Sequence, residues 1–216
     1  NWAPFPVPPS QIDAVVLSHA HLDHSGYLPV LVREGFHGRV HATAGTRDLC
    51  GILLPDSGHI QEEDAAFANR HGFSKHTPAL PLYTRRDALD CLGRIHAEPF
   101  GQTFQPIRGW RATFTPAGHI LGAASLLLEV AGHRILFSGD LGRPDDLLMN
   151  PPADPPAADT VLIESTYGDR QHPQEDILQE LAPALQRLAQ RGGVAVVPVF
   201  AVGRAQAVLH AINLLK

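Results

Sequence analysis

The stretch Ile12-Asp13-Ala14-Val15-Val16-Leu17-Ser18-His19-Ala20-His21-Leu22-Asp23-His24 decides the fold of this chain. Ala14 to Leu17 is an apolar run that predicts a buried β-strand. The run ends at Ser18, and the metal-capable side chains His19, His21, Asp23 and His24 follow at once. His19 and His21 are two apart, so an extended turn points both to one side. Asp23 and His24 are adjacent and point elsewhere, which suits two neighbouring metal ions better than one. Imidazole nitrogen with carboxylate oxygen, and no thiolate, is the ligand set of hydrolytic zinc. The alternative is a loop of solvated polar residues, and the hydrophobic strand directly before the motif disfavours it.

The chain has 216 residues, 44% of them hydrophobic, enough for one large domain or one domain plus a piece. A formal net charge of −5 excludes a generic polyanion binder, so any nucleic-acid contact must come from a local patch. Cys50 and Cys91 lack a C-x-x-C neighbour and read as reduced thiols of a cytoplasmic protein. No apolar run approaches membrane-spanning length, so no membrane is expected. The chain starts at Asn1 rather than Met, inside a Pro-rich loop, and reads as an internal fragment.

Beyond the opening motif, Ser25 to Glu34 is expected to be a short helix and Arg39 to Ala42 a strand. Thr43 to about Gly72 is helical in pattern, with a break or kink at Pro55. The acidic run Asp56, His59, Glu62, Glu63 and Asp64 reads as a solvated helix face. Thr84 caps a helix to about Leu92. Ile95 to Ala97, Phe104 to Ile107, Trp110 to Phe114, Ala123 to Val130, His133 to Phe137 and Thr160 to Ile163 are strand candidates. Ala131-Gly132 marks a hairpin. Residues 173 to 191 form a helix with Pro173 in its first turn, stopped by Gly192-Gly193. Val194 to Phe200 is expected to be a buried strand, and Gly203-Arg204 opens a last helix, together a piece of a parallel α/β layer.

His119, in Pro116-Ala117-Gly118-His119-Ile120-Leu121-Gly122, and Asp140, in Ser138-Gly139-Asp140-Leu141-Gly142-Arg143, stand at strand ends like the first motif. Either residue alone reads as structural. Together with His19-x-His21-x-Asp23-His24 they resemble the signature of the metallo-β-lactamase fold. Glu164-Ser165-Thr166-Tyr167-Gly168 and Pro198-Val199-Phe200-Ala201-Val202-Gly203-Arg204-Ala205-Gln206 resemble the β-CASP nucleases. That group holds the pre-mRNA 3′-end cleavage endonuclease, ribonuclease J and prokaryotic relatives. The segment around His119 is closest to the 3′-end-cleavage type.

The resemblance implies an α/β fold, a metallo-β-lactamase αββα sandwich over 1–168 with its first strands missing. The truncated beginning of a β-CASP α/β domain would follow over 169–216. It implies that His19, His21 and His119 hold a first zinc, that Asp140 bridges to a second, and that Asp23 and His24 serve the second. One further ligand of that ion, and a proposed general acid, would lie beyond Lys216. A metal-bridging hydroxide would hydrolyse an RNA phosphodiester, by an endonuclease or 5′→3′ exonuclease mode. Asp23, Asp140 and Glu164 would be catalytic, with Glu164 orienting a histidine; a strand-end carboxylate capping Thr166 or Gly168 is its structural alternative. Arg204, at a helix start, would contact a substrate phosphate, or else make a salt bridge or surface contact. The expected partner is RNA, and a homodimer stays open. Two rival functions remain: hydrolysis of a small ester or thioester on the same fold, and a non-catalytic subunit of an RNA-processing complex. The filled ligand positions weigh against the second rival.

Overall fold

The structure, a computed structural model, describes residues 4–171 and 177–216. A first sheet contains β1 (Ala14–Val16), β2 (Arg39–Ala42) and β3 (Ile95–Ala97), in that order and all parallel. Parallel neighbours need crossover connections. Helices α1 (Leu22–Ser25) and α2 (Leu28–Arg33) join β1 to β2, and α3 (Ala44–His71) and α4 (Arg85–Leu92) join β2 to β3. The second sheet runs in sequence order through β4 (Thr103–Phe104), β5 (Trp110–Pro116), β6 (Ala124–Val130), β7 (His133–Phe137) and β8 (Thr160–Leu162). It is antiparallel up to the parallel β7–β8 pair. The β6–β7 hairpin turns on Ala131 (φ 50°) and Gly132 (φ 82°), the two positive φ angles of a type I′ turn. Helices α5 (Ile177–Arg191) and α6 (Arg204–Leu214) follow.

Two apolar clusters hold these layers together. Leu17, Leu28, Val30, Phe36, Val40, Leu54, Tyr83 and Ile95 pack the first sheet against α2, α3 and α4. Ala112, Phe114, Ala124 and Leu126 of the second sheet pack with Val16 of β1. His41 of β2 stacks on Phe104 of β4 with ring centroids 5.1 Å apart, so the two sheets meet face to face. Each fully buried large apolar side chain contributes about 1.5–3 kcal/mol relative to exposure. Thr84 caps α4 through a reciprocal pair: its hydroxyl accepts the Asp87 N–H, and the Asp87 carboxylate accepts the Thr84 N–H.

Four sequence expectations need correction. Pro55 does not break α3, which is continuous over 28 residues. The lost hydrogen bond would have gone to the carbonyl of Gly51, which lies on an exposed turn open to water. Close packing of α3 on the start of α4 compensates: a Cβ on Gly58 would stand 2.8 Å from the Thr84 carbonyl oxygen. The helix expected over Ser25 to Glu34 is the shorter α2, because Ser25 instead closes the separate turn of α1, where the His21 carbonyl accepts the His24 and Ser25 N–H groups. The strand expected over Phe104 to Ile107 is the shorter Thr103–Phe104, the only part facing Ala112 and Thr113 across the ladder. Val194 to Phe200 is no strand. Among the described residues nothing pairs with it, and Val194, Val196 and Phe200 are exposed. Apolar content favours a strand, but a ladder requires a neighbour. The expected start of the following-domain helix at Pro173 lies outside the described residues; from Ile177 the helix is present. Among the described residues no helix is long and apolar enough to cross a membrane.

Candidate metal centre

Both sheets deliver histidines and carboxylates to one edge. After β1 the chain leaves the first sheet at Leu17, whose N–H donates to the His41 carbonyl, and enters the His19–His21 turn. The four residues of α1 then turn back, held by the Ser25 hydroxyl on the Ala20 carbonyl at 2.9 Å, and bring His24 over His19 with ring centroids 4.1 Å apart. His119 comes from the β5–β6 loop and Asp140 from the turn after β7. The two sheets are tied beside the site by the Ala124 N–H donating to the Ser18 carbonyl.

His19 Nε2 lies 3.1 Å from His21 Nδ1, which lies 3.2 Å from His119 Nε2. Asp140 Oδ2 is 3.6 Å from both His19 Nε2 and His119 Nε2. One ligand atom from each of these residues falls within 4.8 Å of the others, a group that could hold a metal ion. Nitrogen ligands of a tetrahedral zinc, each 2.0–2.1 Å from it, are about 3.3 Å apart, close to the spacings seen. The donor set supports the same reading. Ser18 Oγ is 3.1 Å from His19 Nδ1 and fits the tautomer whose Nε2 presents a lone pair. Three imidazole nitrogens converging around the buried His19, with His21 and His119 half-buried, cannot all satisfy one another, whereas a cation satisfies them together. The cluster therefore fits a divalent metal.

The other Asp140 oxygen faces elsewhere. Oδ1 is 3.3 Å from His24 Nε2, which is also 3.6 Å from Asp23 Oδ2. Asp23 is the most exposed of the six, its side chain 77% accessible. Burial above all, then the neighbouring imidazoles of His24, His21 and His119, pushes His19 down to about 3. Burial and His21 likewise lower His119, against an opposing pull from Asp140 and Glu164. Neutral imidazole is the metal-binding form, and burial favours it at both residues.

Glu164 does not enter the cluster directly. Its Oε1 accepts the Leu141 N–H at 3.0 Å, one residue past Asp140, and its Oε2 accepts the Thr166 N–H at 3.2 Å. Burial raises its pKa, but these donors outweigh burial and hold the carboxyl below its ordinary value. The Glu164 N–H in turn donates to Ser138 Oγ, so Glu164 braces the turn that carries Asp140. Arg204 opens α6, and Gly203 sits against Ile120, the residue after His119: a Cβ there would be 3.1 Å from the Ile120 side chain. The first amides of α6 are partly engaged, Gly203 N–H with Gln206 Oε1 and Ala205 N–H with the Phe200 carbonyl. Sequence reasoning missed Ser18, Ser138, Thr43 and Thr46. Thr43 caps α3, its hydroxyl accepting the Thr46 N–H, and nothing in the sequence marks its reach to the His119 loop.

The family model for the β-lactamase superfamily domain matches residues 1–199. Ribonuclease TTHA0252 of Thermus thermophilus is 36% identical over 211 residues, covering 97% of this chain and 45% of that protein. Endoribonuclease YSH1 of Gibberella zeae is 36% identical over 204 residues, covering 93% of this chain and 23% of that protein. The Saccharomyces cerevisiae YSH1 is 35% identical over 203 residues, 93% of this chain and 25% of that protein. The chain thus spans less than half the length of these relatives. Two facing sheets, a His–Asp cluster at their shared edge and a family match over residues 1–199 agree: the chain belongs to the β-lactamase superfamily, as a metallo-β-lactamase domain.

Proposed function

We propose that this chain is the metal-binding part of a zinc-dependent ribonuclease that cleaves RNA phosphodiester bonds, with two ions in the complete site. The observation that carries the reading is the divided allegiance of Asp140. Oδ2 faces His19 and His119, while Oδ1 faces His24. His19 Nε2, His21 Nδ1 and His119 Nε2 would hold one ion, His24 and Asp23 would serve the other, and Asp140 would set the distance between them. Divalent ions so held would supply Lewis acidity toward a phosphoryl oxygen and would lower the pKa of water to near neutral. Burial, which lowers the pKa of His19 and of His119, favours their neutral, metal-binding form. Glu164, by holding the Leu141 N–H, keeps the Asp140 carboxylate aimed. A cleft lined by Leu141, Gly142, Arg143, Glu164, Thr166 and Tyr167 opens next to Asp140 and offers room for the substrate strand. Arg204 would contact a substrate phosphate from the start of α6.

The relatives' names support RNA as the substrate, and the endoribonuclease names support cleavage within the strand. Residues 1–168 would form the metallo-β-lactamase core and 169–216 the start of a β-CASP unit. Cys50 and Cys91, both buried as free thiols, fit a reducing cytoplasm. The test is Asp140→Asn in the longest available form of the protein. An amide cannot bridge two cations with two anionic oxygens, so metal content should fall and RNA cleavage should be abolished while the circular dichroism spectrum is kept. Near wild-type turnover would refute the bridging role, and a wild-type protein without bound zinc or manganese-restored activity would refute the metal reading.

A further inference from the structure

His119 is the one imidazole of the cluster that comes from the second sheet, and the β5–β6 loop that carries it is gripped at both ends. On its first half, the Gly142 N–H donates to the Ala117 carbonyl at 2.8 Å, and Gly118 (φ 69°) lies against the backbone of Asn150 and Pro152. On its second half, the grip comes from the other sheet. Thr43 Oγ1 donates to the Gly122 carbonyl at 2.6 Å, and Thr46 Oγ1 donates to the same oxygen at 2.9 Å. The two hydroxyls stand in the cap and first turn of α3, immediately after β2.

Proton accounting supports both bonds. A hydroxyl has one proton, and a carbonyl oxygen has two lone pairs. Thr43 and Thr46 each spend their proton on Gly122, filling both lone pairs, and Thr43 Oγ1 still accepts the Thr46 N–H at 3.2 Å as a helix cap. The Thr43–Thr46 hydroxyl contact of 3.1 Å is then a close approach rather than a third bond. Thr43 and Thr46 are buried at 1% and 0% exposure, so no water substitutes for either. The backbones touch because both partners are glycines: a Cβ on Gly45 would be 2.9 Å from Gly122 Cα, and one on Gly122 (φ 79°) would be 2.2 Å from the Thr46 nitrogen. Leu121, between His119 and Gly122, is 58% exposed, whereas Ile120 and Ala123 on either side of it are buried, so apolar packing shares the hold on this half of the loop with the two hydroxyls.

We propose that Thr43 and Thr46 are positioning residues for the metal: their paired hydroxyls fix the spacing between His119, from the second sheet, and His19 and His21, from the first. The inference rests on the metal reading of the cluster. If the clamp merely stabilised the fold, its loss would weaken zinc binding no more than any equal loss of stability elsewhere. If it positions His119, its loss weakens zinc binding specifically.

The experiment is zinc affinity by chelator competition, with the thermal unfolding temperature of the metal-free chain measured alongside. Thr46→Val keeps the side-chain shape and removes only the hydroxyl. Thr43→Ser keeps both cap and donor. Ile95→Val, in the core on β3, is the control for general destabilisation. Thr46→Val should bind zinc about tenfold more weakly, as expected for a residue that orients ligands. Thr43→Ser should stay within about twofold of wild type, since its hydrogen bonds remain. Ile95→Val should bind as wild type. Unchanged affinity in Thr46→Val overturns the proposal, as does an equal loss in Ile95→Val or in Thr43→Ser. If Thr46→Val does not fold, Thr46→Ala, which leaves space rather than filling it, gives the same comparison. A wild-type chain that takes up no zinc overturns the metal reading itself and the proposal with it; a changed ranking among zinc-binding variants overturns the proposal alone.

Discussion

Gly142→Ala should damage folding and metal binding together, for a reason visible in the backbone. A Cβ at this position would stand 1.8 Å from the Gly118 carbonyl oxygen and 2.7 Å from the His119 nitrogen. A carbon and a carbonyl oxygen in contact need about 3.3 Å, so the two backbones must part by roughly 1.5 Å. The hydrogen bond from Gly142 N–H to the Ala117 carbonyl, 2.8 Å long, cannot survive that separation. Its loss costs about 1 kcal/mol, and the steric strain about 1–3 kcal/mol more. For a chain of this size that lowers the unfolding temperature by roughly 4–16 °C. The same displacement acts on the site, since Asp140 and His119 flank the contact. His21 Nδ1 and His119 Nε2 are 3.2 Å apart. Two nitrogens on one zinc can be at most about 4.2 Å apart even in line. Moving His119 by the full displacement exceeds that reach, so zinc affinity should fall at least tenfold, the lower end of what a change in the supporting shell costs. Thermal unfolding of the metal-free chain and chelator competition measure the two effects. A variant with an unchanged unfolding temperature and unchanged zinc affinity would show that the two loops are not in the contact described, and the reasoning would fail.

Three further outcomes are expected. In the metal-free protein burial holds His19 at about 3 against an ordinary 6.5, so the unfolded state binds more protons between those values. Its stability contribution is fully present above pH 6.5 and is lost as pH falls toward 3; unfolding in chelator should cost up to about 2 kcal/mol less at pH 5 than at pH 7, and equal or greater stability at pH 5 would contradict this. Ala131 holds φ at 50° in the β6–β7 turn, where asparagine is at ease; Ala131→Asn should stabilise the chain by about 0.5–1 kcal/mol in denaturant unfolding, and destabilisation would argue against the type I′ geometry. Arg204→Ala should weaken RNA binding and lower the slope of log affinity against log salt by about one, with metal content unchanged; equal losses on RNA and on a small activated phosphodiester would mean that Arg204 supports the fold instead.

The amino-acid order by itself determined those elements whose cause is local. Arg39–Ala42, Ile95–Ala97 and His133–Phe137 form strands over the residues expected, and α4 begins at the Thr84 cap because Thr84 and Asp87 satisfy each other within one turn. The strand-then-ligand pattern at Val16 to His24 needed no distant partner to be seen. Tertiary structure decided whatever depended on a neighbour. Val194 to Phe200 has strand composition but no paired strand among the described residues, so it stays irregular. Pro55 carries a helix-breaking signal, overridden by the contact of Gly58 with the Thr84 backbone. His119 and Asp140 looked structural when read alone; the second sheet brings them to 3.6 Å of each other and within reach of residues a hundred positions earlier. The two threonine hydroxyls that hold the His119 loop had no sequence signal, because their acceptor lies 79 and 76 residues away. Local hydrogen bonds and side-chain periodicity are written in adjacent residues, whereas the direction in which a carboxylate oxygen faces is set only when both sheets have packed.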